Sequence, residues 1–358
     1  MSLISAGQAS TQLQATADFL TLTREQPDQL PAFEFQLPNG THIAVWHTGV
    51  LVAEPAEPGA QDIVLSSGIH GNETAPIELC NAILRDVLQQ KLHLTERVLF
   101  LFGNPWAINA GVREIKDNLN RLFSGHHSQD GISSSEGGQS KERERAKLLE
   151  ESVLKFYQQA PAGERVRKLY DLHTAIRGSR FEKFAVYPFL HGKNWSKTEL
   201  QFLKSCGIDT FLLMQSPAST FSYFAAQSCQ AHGFTLELGK VRPFGQNDLS
   251  RFSAADSALR ALISGQPLQF PEFTEADFNF YEVRRAINKQ TDAFRLCFAD
   301  SIENFTSFPV GTVLAEDEGV QYQVEVEGEA VIFPNPKVAV GQRAMLLVKP
   351  VSVAGKVG

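Results

Sequence analysis

Between about residues 63 and 264 the chain alternates short apolar runs with amphipathic stretches, and that rhythm limits the folds open to it. Ile63-Val64-Leu65, Val98-Leu99-Phe100-Leu101-Phe102 and the segments 166–172, 184–190, 210–215 and 234–238 have the length and apolar character of buried strands. Helical patterns over 75–88, 141–159 and 247–264 separate several of them. Such alternation predicts an α/β architecture with a mostly parallel sheet. Residues 41–53, rich in β-branched and aromatic side chains, read as one more strand, and the first 40 residues as a peripheral helix and linker. The charges of 141–159 read as the solvated face of an amphipathic helix, and 124–140 as a polar Gly/Ser-rich loop. From about residue 271 the pattern changes to short alternating runs cut by Gly and by Pro334-Asn335-Pro336. The expected organisation is therefore an N-terminal segment (1–40), an α/β domain (41–270) and a smaller β-rich domain (271–358).

Several function classes drop out early. Thirty-three basic against 40 acidic residues give a formal charge of −7, so no basic surface invites nucleic acid. No apolar run approaches a membrane span, and the N-terminus has neither a basic region nor an unbroken apolar core of a signal peptide. Cys80, Cys206, Cys229 and Cys297 are widely spaced and form no Cys-x-x-Cys pair. They read as thiols of a reducing compartment, which makes this a cytoplasmic protein.

The chemistry concentrates at strand ends. Ser66-Ser67-Gly68-Ile69-His70-Gly71-Asn72-Glu73 puts an imidazole and a carboxylate three positions apart on a glycine-flanked turn. The bland reading makes Asn72 or Thr74 a helix cap and Glu73 an acid favoured near a helix N-terminus. The sharper one makes His70 and Glu73 two ligands of a metal whose third ligand is His173, in Tyr170-Asp171-Leu172-His173, with Asp171 or a backbone carbonyl orienting the ring. His126 and His127 offer imidazoles too, but read as solvated loop residues. Glu237 sits inside an apolar run, where a carboxylate is costly unless paired or functional. It is either a general base or the partner of Lys240 or Arg242. Arg113, Asn120 and Arg121 follow another strand end, and an arginine fork suits carboxylates and oxyanions.

His-Gly-Asn-Glu, Gly-Asn-Pro…Arg…Leu-Asn-Arg, Asp-Leu-His-Thr-Ala and Glu-Leu-Gly-Lys, in that order, resemble the succinylglutamate desuccinylase/aspartoacylase family of zinc carboxypeptidase-like hydrolases, from about residue 40 to the C-terminus. The resemblance implies a zinc-carboxypeptidase-like mixed sheet flanked by helices, with a smaller β-rich C-terminal domain near the substrate entrance. It implies one zinc per chain, bound by His70, Glu73 and His173, with Glu237 as proton shuttle and Arg113 polarising the substrate carbonyl. Asn120 and Arg121 match a pair that holds a substrate carboxylate. The family often has an acid where this chain has Asn118, which weakens any orienting role for that position.

The reaction implied is hydrolysis of N-succinyl-L-glutamate to succinate and L-glutamate, the last step of arginine catabolism by the succinyl-transfer route. Arg177, close behind His173, is the expected reader of the succinyl carboxylate, in preference to Arg180. The rivals are an amidohydrolase for another acyl-amino acid, such as acetylaspartate, and a non-catalytic binding protein on the same scaffold, whose cheapest signature would be loss of Glu237. A serine hydrolase lacks its Gly-x-Ser-x-Gly elbow.

Overall fold

The computed structural model describes residues 4–129, 140–270 and 272–358; the loop expected over 124–140 therefore lies partly outside the described residues. The chain opens with α1 (Ala6–Thr16), α2 (Phe19–Glu25), β1 (Phe33–Gln36), β2 (His42–His47), β3 (Val50–Glu54) and β4 (Gln61–Ser67). There follow α3 (Thr74–Leu88), β5 (Arg97–Phe102), α4 (Pro105–Ala110), α5 (Lys141–Gln158), β6 (Val166–Ala175), β7 (Phe184–Tyr187) and α6 (Lys197–Ser205). Next come β8 (Thr210–Leu213), α7 (Phe221–Ser228), β9 (His232–Lys240) and α8 (Ser253–Ile263). The C-terminal part is all strand: β10 (Asn279–Asn288), β11 (Arg295–Leu296), β12 (Thr306–Ser307), β13 (Val313–Asp317), β14 (Val320–Gln323), β15 (Ala330–Ile332) and β16 (Arg343–Pro350).

One large sheet runs in the order β1-β2-β3-β5-β4-β6-β9-β7-β8-β10-β16-β15-β12, and β11, β13 and β14 form a small second one. Its centre, β5-β4-β6-β9, is parallel. The flanks are antiparallel through β1-β2-β3 and β7-β9, so the sheet is mixed rather than mostly parallel. The stretch 41–53, expected as one strand, is a hairpin: Gly49 takes φ +66, a turn conformation that glycine adopts without strain, and splits it into β2 and β3. The join to the C-terminal part is a parallel pairing of β10 with β8, after which β10 turns its other edge to β16. The two parts thus share a sheet.

Core packing corrects two expectations. The N-terminal segment is not peripheral: Ala9, Leu13, Phe19 and Leu22 are fully buried in the main apolar core, and β1 pairs with β2. Nor are the charges of α5 simply a solvated face. Glu142, Arg143, Arg145 and Glu150 are buried. Glu142 Oε1 accepts from the Ile115 and Lys116 amides, Glu150 Oε1 accepts from the Ser124 amide, and Arg145 donates to the Phe102 and Gly103 carbonyls. A loop that dips toward the interior leaves backbone groups without water, and these side chains satisfy them. The loop held in this way carries Arg113, Asn118, Asn120 and Arg121.

Candidate metal centre and arginine recess

The strand register brings the two halves of the site together. Along the parallel centre, Ser67 stands opposite Leu172, and His173 stands opposite Glu237. The C-terminal ends of β4, β6 and β9 therefore finish side by side, where open α/β sheets place their ligands. Beyond β4 the backbone must bend hard to reach α3. Gly68 takes φ +70, and a Cβ on Gly71 would lie 2.1 Å from the Ala107 carbonyl carbon, so only glycine fits there.

Glu73 occupies the cap position of α3, yet its side chain caps nothing. Neither does the bland alternative hold for its neighbours: Thr74 Oγ1 donates to the Arg242 carbonyl, and Asn72 Oδ1 is buried without a partner. The Glu73 carboxylate turns inward instead. Oε1 lies 2.8 Å from His70 Nδ1 and accepts from Arg113 Nη1 at 2.6 Å; Oε2 lies 2.8 Å from His173 Nδ1 and accepts from the Thr174 amide.

Both rings have their tautomer fixed from behind. Asn118 Oδ1 accepts from the Asn120 amide, so the oxygen, not the nitrogen, of that side chain faces this way. It lies 3.1 Å from His70 Nε2, which must therefore carry the hydrogen. His173 Nε2 lies 2.7 Å from Asp171 Oδ2, and Asp171 Oδ1 in turn accepts from Ser66 Oγ. In each ring Nδ1 is left with its lone pair pointed at a carboxylate oxygen. Two lone-pair atoms at 2.8 Å repel unless something positive sits between them. The three side chains are buried, and one donor atom from each lies within 4.8 Å of the others. Two imidazole nitrogens and one carboxylate oxygen fit the donor set of a catalytic zinc.

The electrostatics agree. Burial pushes the His70 imidazole down to about 4, with Arg113 nearby adding to the effect, so the ring is neutral. Burial opposes the charge of Glu73, but His70 and His173 outweigh it and hold the carboxylate well below its usual range. Burial alone would lower His173, yet Asp171 and Glu73 hold it well above the ordinary value, so without a metal ion it keeps a proton there. Glu237 is the odd member. Burial, and then the Glu73 charge, raise it to about 7, and its Oε2 is buried with no hydrogen-bond partner. Among the described residues it forms no ion pair with Lys240 or Arg242.

The remaining candidates separate. Arg113 touches the cluster through Glu73. Asn120 is buried, with Oδ1 accepting from the Phe221 amide at the start of α7, which leaves its NH2 group to donate. Arg121 Nη1 donates to the Asn120 carbonyl, and among the described residues it forms no ion pair. Arg177, expected to face the site, does not. Its Nε donates to the Pro334 carbonyl at 2.9 Å, Nη2 to Asp300 Oδ1 at 3.1 Å and Nη1 to the Asp300 carbonyl. The register of β6 against β9 shifts between His173 and Ala175, so adjacency to His173 in sequence does not aim a side chain at the site. His127 and Glu150 pair with each other, away from the cluster.

Sequence reasoning missed two residues. Asn118, discounted for lacking a carboxylate, makes the orienting contact with its amide oxygen. Arg343, at the start of β16, is the charge Arg121 feels most strongly. The first was visible as a hydrogen-bond acceptor in the right place; the second carried no local signal.

Comparison with known proteins gives one answer over both parts. Residues 59–263 match the model of the "succinylglutamate desuccinylase/aspartoacylase catalytic domain", and 276–351 that of the "AstE/AspA barrel-sandwich hybrid domain". Curated relatives named succinylglutamate desuccinylase include one from Shewanella piezotolerans, 49% identical over 94% of this chain and 97% of its own length. Another, from Idiomarina loihiensis, is 50% identical over 93% and 95%. The crystal structure of the Chromobacterium violaceum succinylglutamate desuccinylase superposes with a TM-score of 0.82 at 40% identity, covering 94% of this chain and 99% of that one. With the matched models spanning most of the chain and the relatives nearly its full length, the chain belongs to the succinylglutamate desuccinylase/aspartoacylase family.

Proposed function

We propose that this chain is a zinc-dependent amidohydrolase that cleaves N-succinyl-L-glutamate to succinate and L-glutamate, the closing step of arginine catabolism by the succinyl-transfer route. The names of its relatives supply the substrate, and one observation supports the chemistry. Glu237 presents an unpartnered buried oxygen beside three converging metal donors. His70, Glu73 and His173 would hold one zinc ion, which when bound polarises the amide carbonyl and lowers the pKa of water toward neutrality. Glu237 Oε2 takes the proton of the attacking water and returns it to the departing glutamate nitrogen, tasks for which a carboxylate near 7 is suited. Arg113 has one donor on Glu73 and others to spare, so its fork can meet the negative charge that builds on the carbonyl oxygen. The Asn120 NH2 group and Arg121 hold a substrate carboxylate. Among the described residues no helix is long and apolar enough to cross a membrane. We read the enzyme as cytoplasmic, where Cys80, Cys206 and Cys229 stay reduced.

The test is direct. The purified chain is loaded with zinc and offered N-succinyl-L-glutamate beside N-acetyl-L-aspartate, with release of the free amino acid followed in each. Turnover should strongly favour the succinyl substrate. Preference for acetylaspartate, or hydrolysis of neither, would overturn the reading.

A further inference from the structure

Glu237 has a second neighbour besides the metal donors. In the antiparallel pairing of β7 with β9, Phe184 stands opposite it, as His173 does on the other side in the pairing of β6 with β9. Side chains directly opposite each other share one face of a sheet, so Glu237 is flanked by the His173 imidazole on one side and by Phe184 on the other. Phe184 is fully buried, and two rings of the C-terminal β region, β10 to β16, pack on it. Phe305 meets it edge-on at 5.1 Å between centroids, and Phe333 lies tilted at 5.7 Å. The C-terminal region thus reaches Glu237 through one aromatic ring.

Phe305 and Phe333 are held in backbone conformations that bulky residues avoid. Their φ values, +65 and +54, lie in the left-handed region, and such strain persists only where the surroundings impose it. Much of the constraint comes from the catalytic part. Arg177, two positions past the end of β6, donates from Nε to the Pro334 carbonyl at 2.9 Å, immediately after Phe333. Its Nη1 and Nη2 donate to the carbonyl and to Oδ1 of Asp300, the latter at 3.1 Å, at the start of the loop that leads to Phe305. Beside it, the Asn304 amide donates to the Gly178 carbonyl at 2.9 Å, and the Asn304 carbonyl accepts from the Arg180 amide at 3.2 Å. Asn304 Oδ1 accepts from the Phe333 amide at 2.8 Å, which links the two aromatic segments to each other. One guanidinium therefore ties both segments to the chain that leaves the metal-site strand. A planar fork can reach acceptors on two segments at once, and the carbonyl bonds matter more than the ion pair, because Asp300 is 92% exposed.

We propose that Arg177 is a positioning residue for the hydrolysis: it clamps Phe305 and Phe333 against Phe184 and, through Phe184, fixes the place of the Glu237 carboxylate. This rests on the amidohydrolase reading above. The clamp gives the C-terminal region a part in turnover, exercised through the aromatic wall beside the proton shuttle. It also accounts for donors that the sequence assigned to a substrate carboxylate and that the fold directs to Pro334 and Asp300.

The test compares wild type, Arg177→Ala and Arg177→Lys, each loaded with zinc, by amide hydrogen exchange and by steady-state kinetics. In the alanine variant the amides of Arg180, Asn304 and Phe333 should lose protection by about tenfold or more, as the loss of hydrogen bonds from a charged donor implies. The Thr174 amide, bonded to Glu73, should keep its protection. With N-succinyl-L-glutamate, kcat should fall roughly 10- to 100-fold at full zinc content, the cost of displacing a reacting group by about an ångström, while KM changes little. Lysine carries one nitrogen where three acceptors wait, so it should recover only part of kcat. A raised KM with kcat intact would return Arg177 to direct reading of a substrate carboxylate and overturn the clamp. Unchanged protection, unchanged kcat or loss of zinc would overturn it as well. So would loss of protection that extends to the Thr174 amide, the mark of a residue that only holds the fold together. If wild type failed to hydrolyse the succinyl substrate, the functional reading would fall. Exchange would still judge the clamp, since undiminished protection in the alanine variant would sink it alone.

Discussion

Two groups of charged side chains in this molecule are built on opposite principles. Around His70, Glu73 and His173 nearly every polar atom has a partner: Asn118 and Asp171 behind the rings, Ser66 behind Asp171, Arg113 and the Thr174 amide on Glu73. Among the described residues the buried atoms left without a hydrogen-bond partner here include His70 Nδ1, Asn72 Oδ1, Thr174 Oγ1 and Glu237 Oε2. Arg121 and Arg343, by contrast, have almost no side-chain partners among the described residues. The first group converges donors that suit a cation and sets a buried carboxylate beside them; the second presents cations that no acid among the described residues matches. A dense network that lacks one small thing is suited to a resident ion, because the supporting shell fixes geometry before the ion arrives. A pair of unmatched cations is suited to a visitor, because the stability they cost is recovered only when a substrate is bound.

The contrast breaks if the dense group does not need its ion. His173→Ala and His70→Ala should each lose zinc on gel filtration and with it all measurable hydrolysis, since two remaining ligands rarely hold the ion. Metal analysis with full zinc in both variants would remove the assignment. The next largest effect falls on Glu237. Glu237→Gln preserves volume and should retain zinc and substrate, while kcat drops on the order of 10²- to 10⁴-fold, because an amide cannot take a proton from water. A kcat near wild type would leave Oε2 without its role.

The two groups also differ in how far sequence could reveal them. His70 and Glu73 share one turn, and His173 and Glu237 end neighbouring strands; local spacing and the cost of a carboxylate within an apolar run nominate them, and the family resemblance joins them into one set. The metal group could therefore be read residue by residue. The arginine recess could not. Arg343 is joined to the catalytic part only because β10 pairs with β8 and then hands the sheet to β16, a long-range pairing that no local pattern announces. Arg177 was the natural guess from proximity along the chain, and the irregularity in β6 after His173 turned it elsewhere. The burial of Glu142, Arg143 and Glu150 was hidden for a related reason: on a helix of that composition a charged stripe looks solvated, and only the loop folded over it shows otherwise.

Within the polar groups the contrast can be sharpened by asking when each charge acts. Arg113 lies against Glu73 and should matter most as the carbonyl oxygen gains charge, so Arg113→Ala should mainly lower kcat. In the proposed role Arg121 would meet a carboxylate already charged in the ground state, so Arg121→Ala should mainly raise KM, by roughly 10- to 100-fold. Steady-state kinetics on N-succinyl-L-glutamate separates the two, and the same pattern in both variants would merge the groups that the structure keeps apart.

The smallest expected effect tests whether the dense group depends on its outer members. Asn118 Oδ1 accepts from His70 Nε2 and from the Asn120 amide, so it aims a metal ligand with one lone pair and steadies the Asn120-Arg121 turn with the other. Asn118→Ala removes the one oxygen that accepts both bonds inside a part-buried site. Zinc affinity should then fall about tenfold, the low end of what loss of an orienting partner costs. Asn118→Asp has the same shape, accepts the same two bonds and adds negative charge behind the ring, which makes the imidazole a better donor. It should bind zinc at least as tightly as wild type. Competition with a chelating dye, run on all three proteins at one pH, ranks them. An alanine variant equal to wild type would mean that His70 is held by its own turn, Gly68 through Gly71, and that the supporting shell behind this ring begins and ends with the backbone.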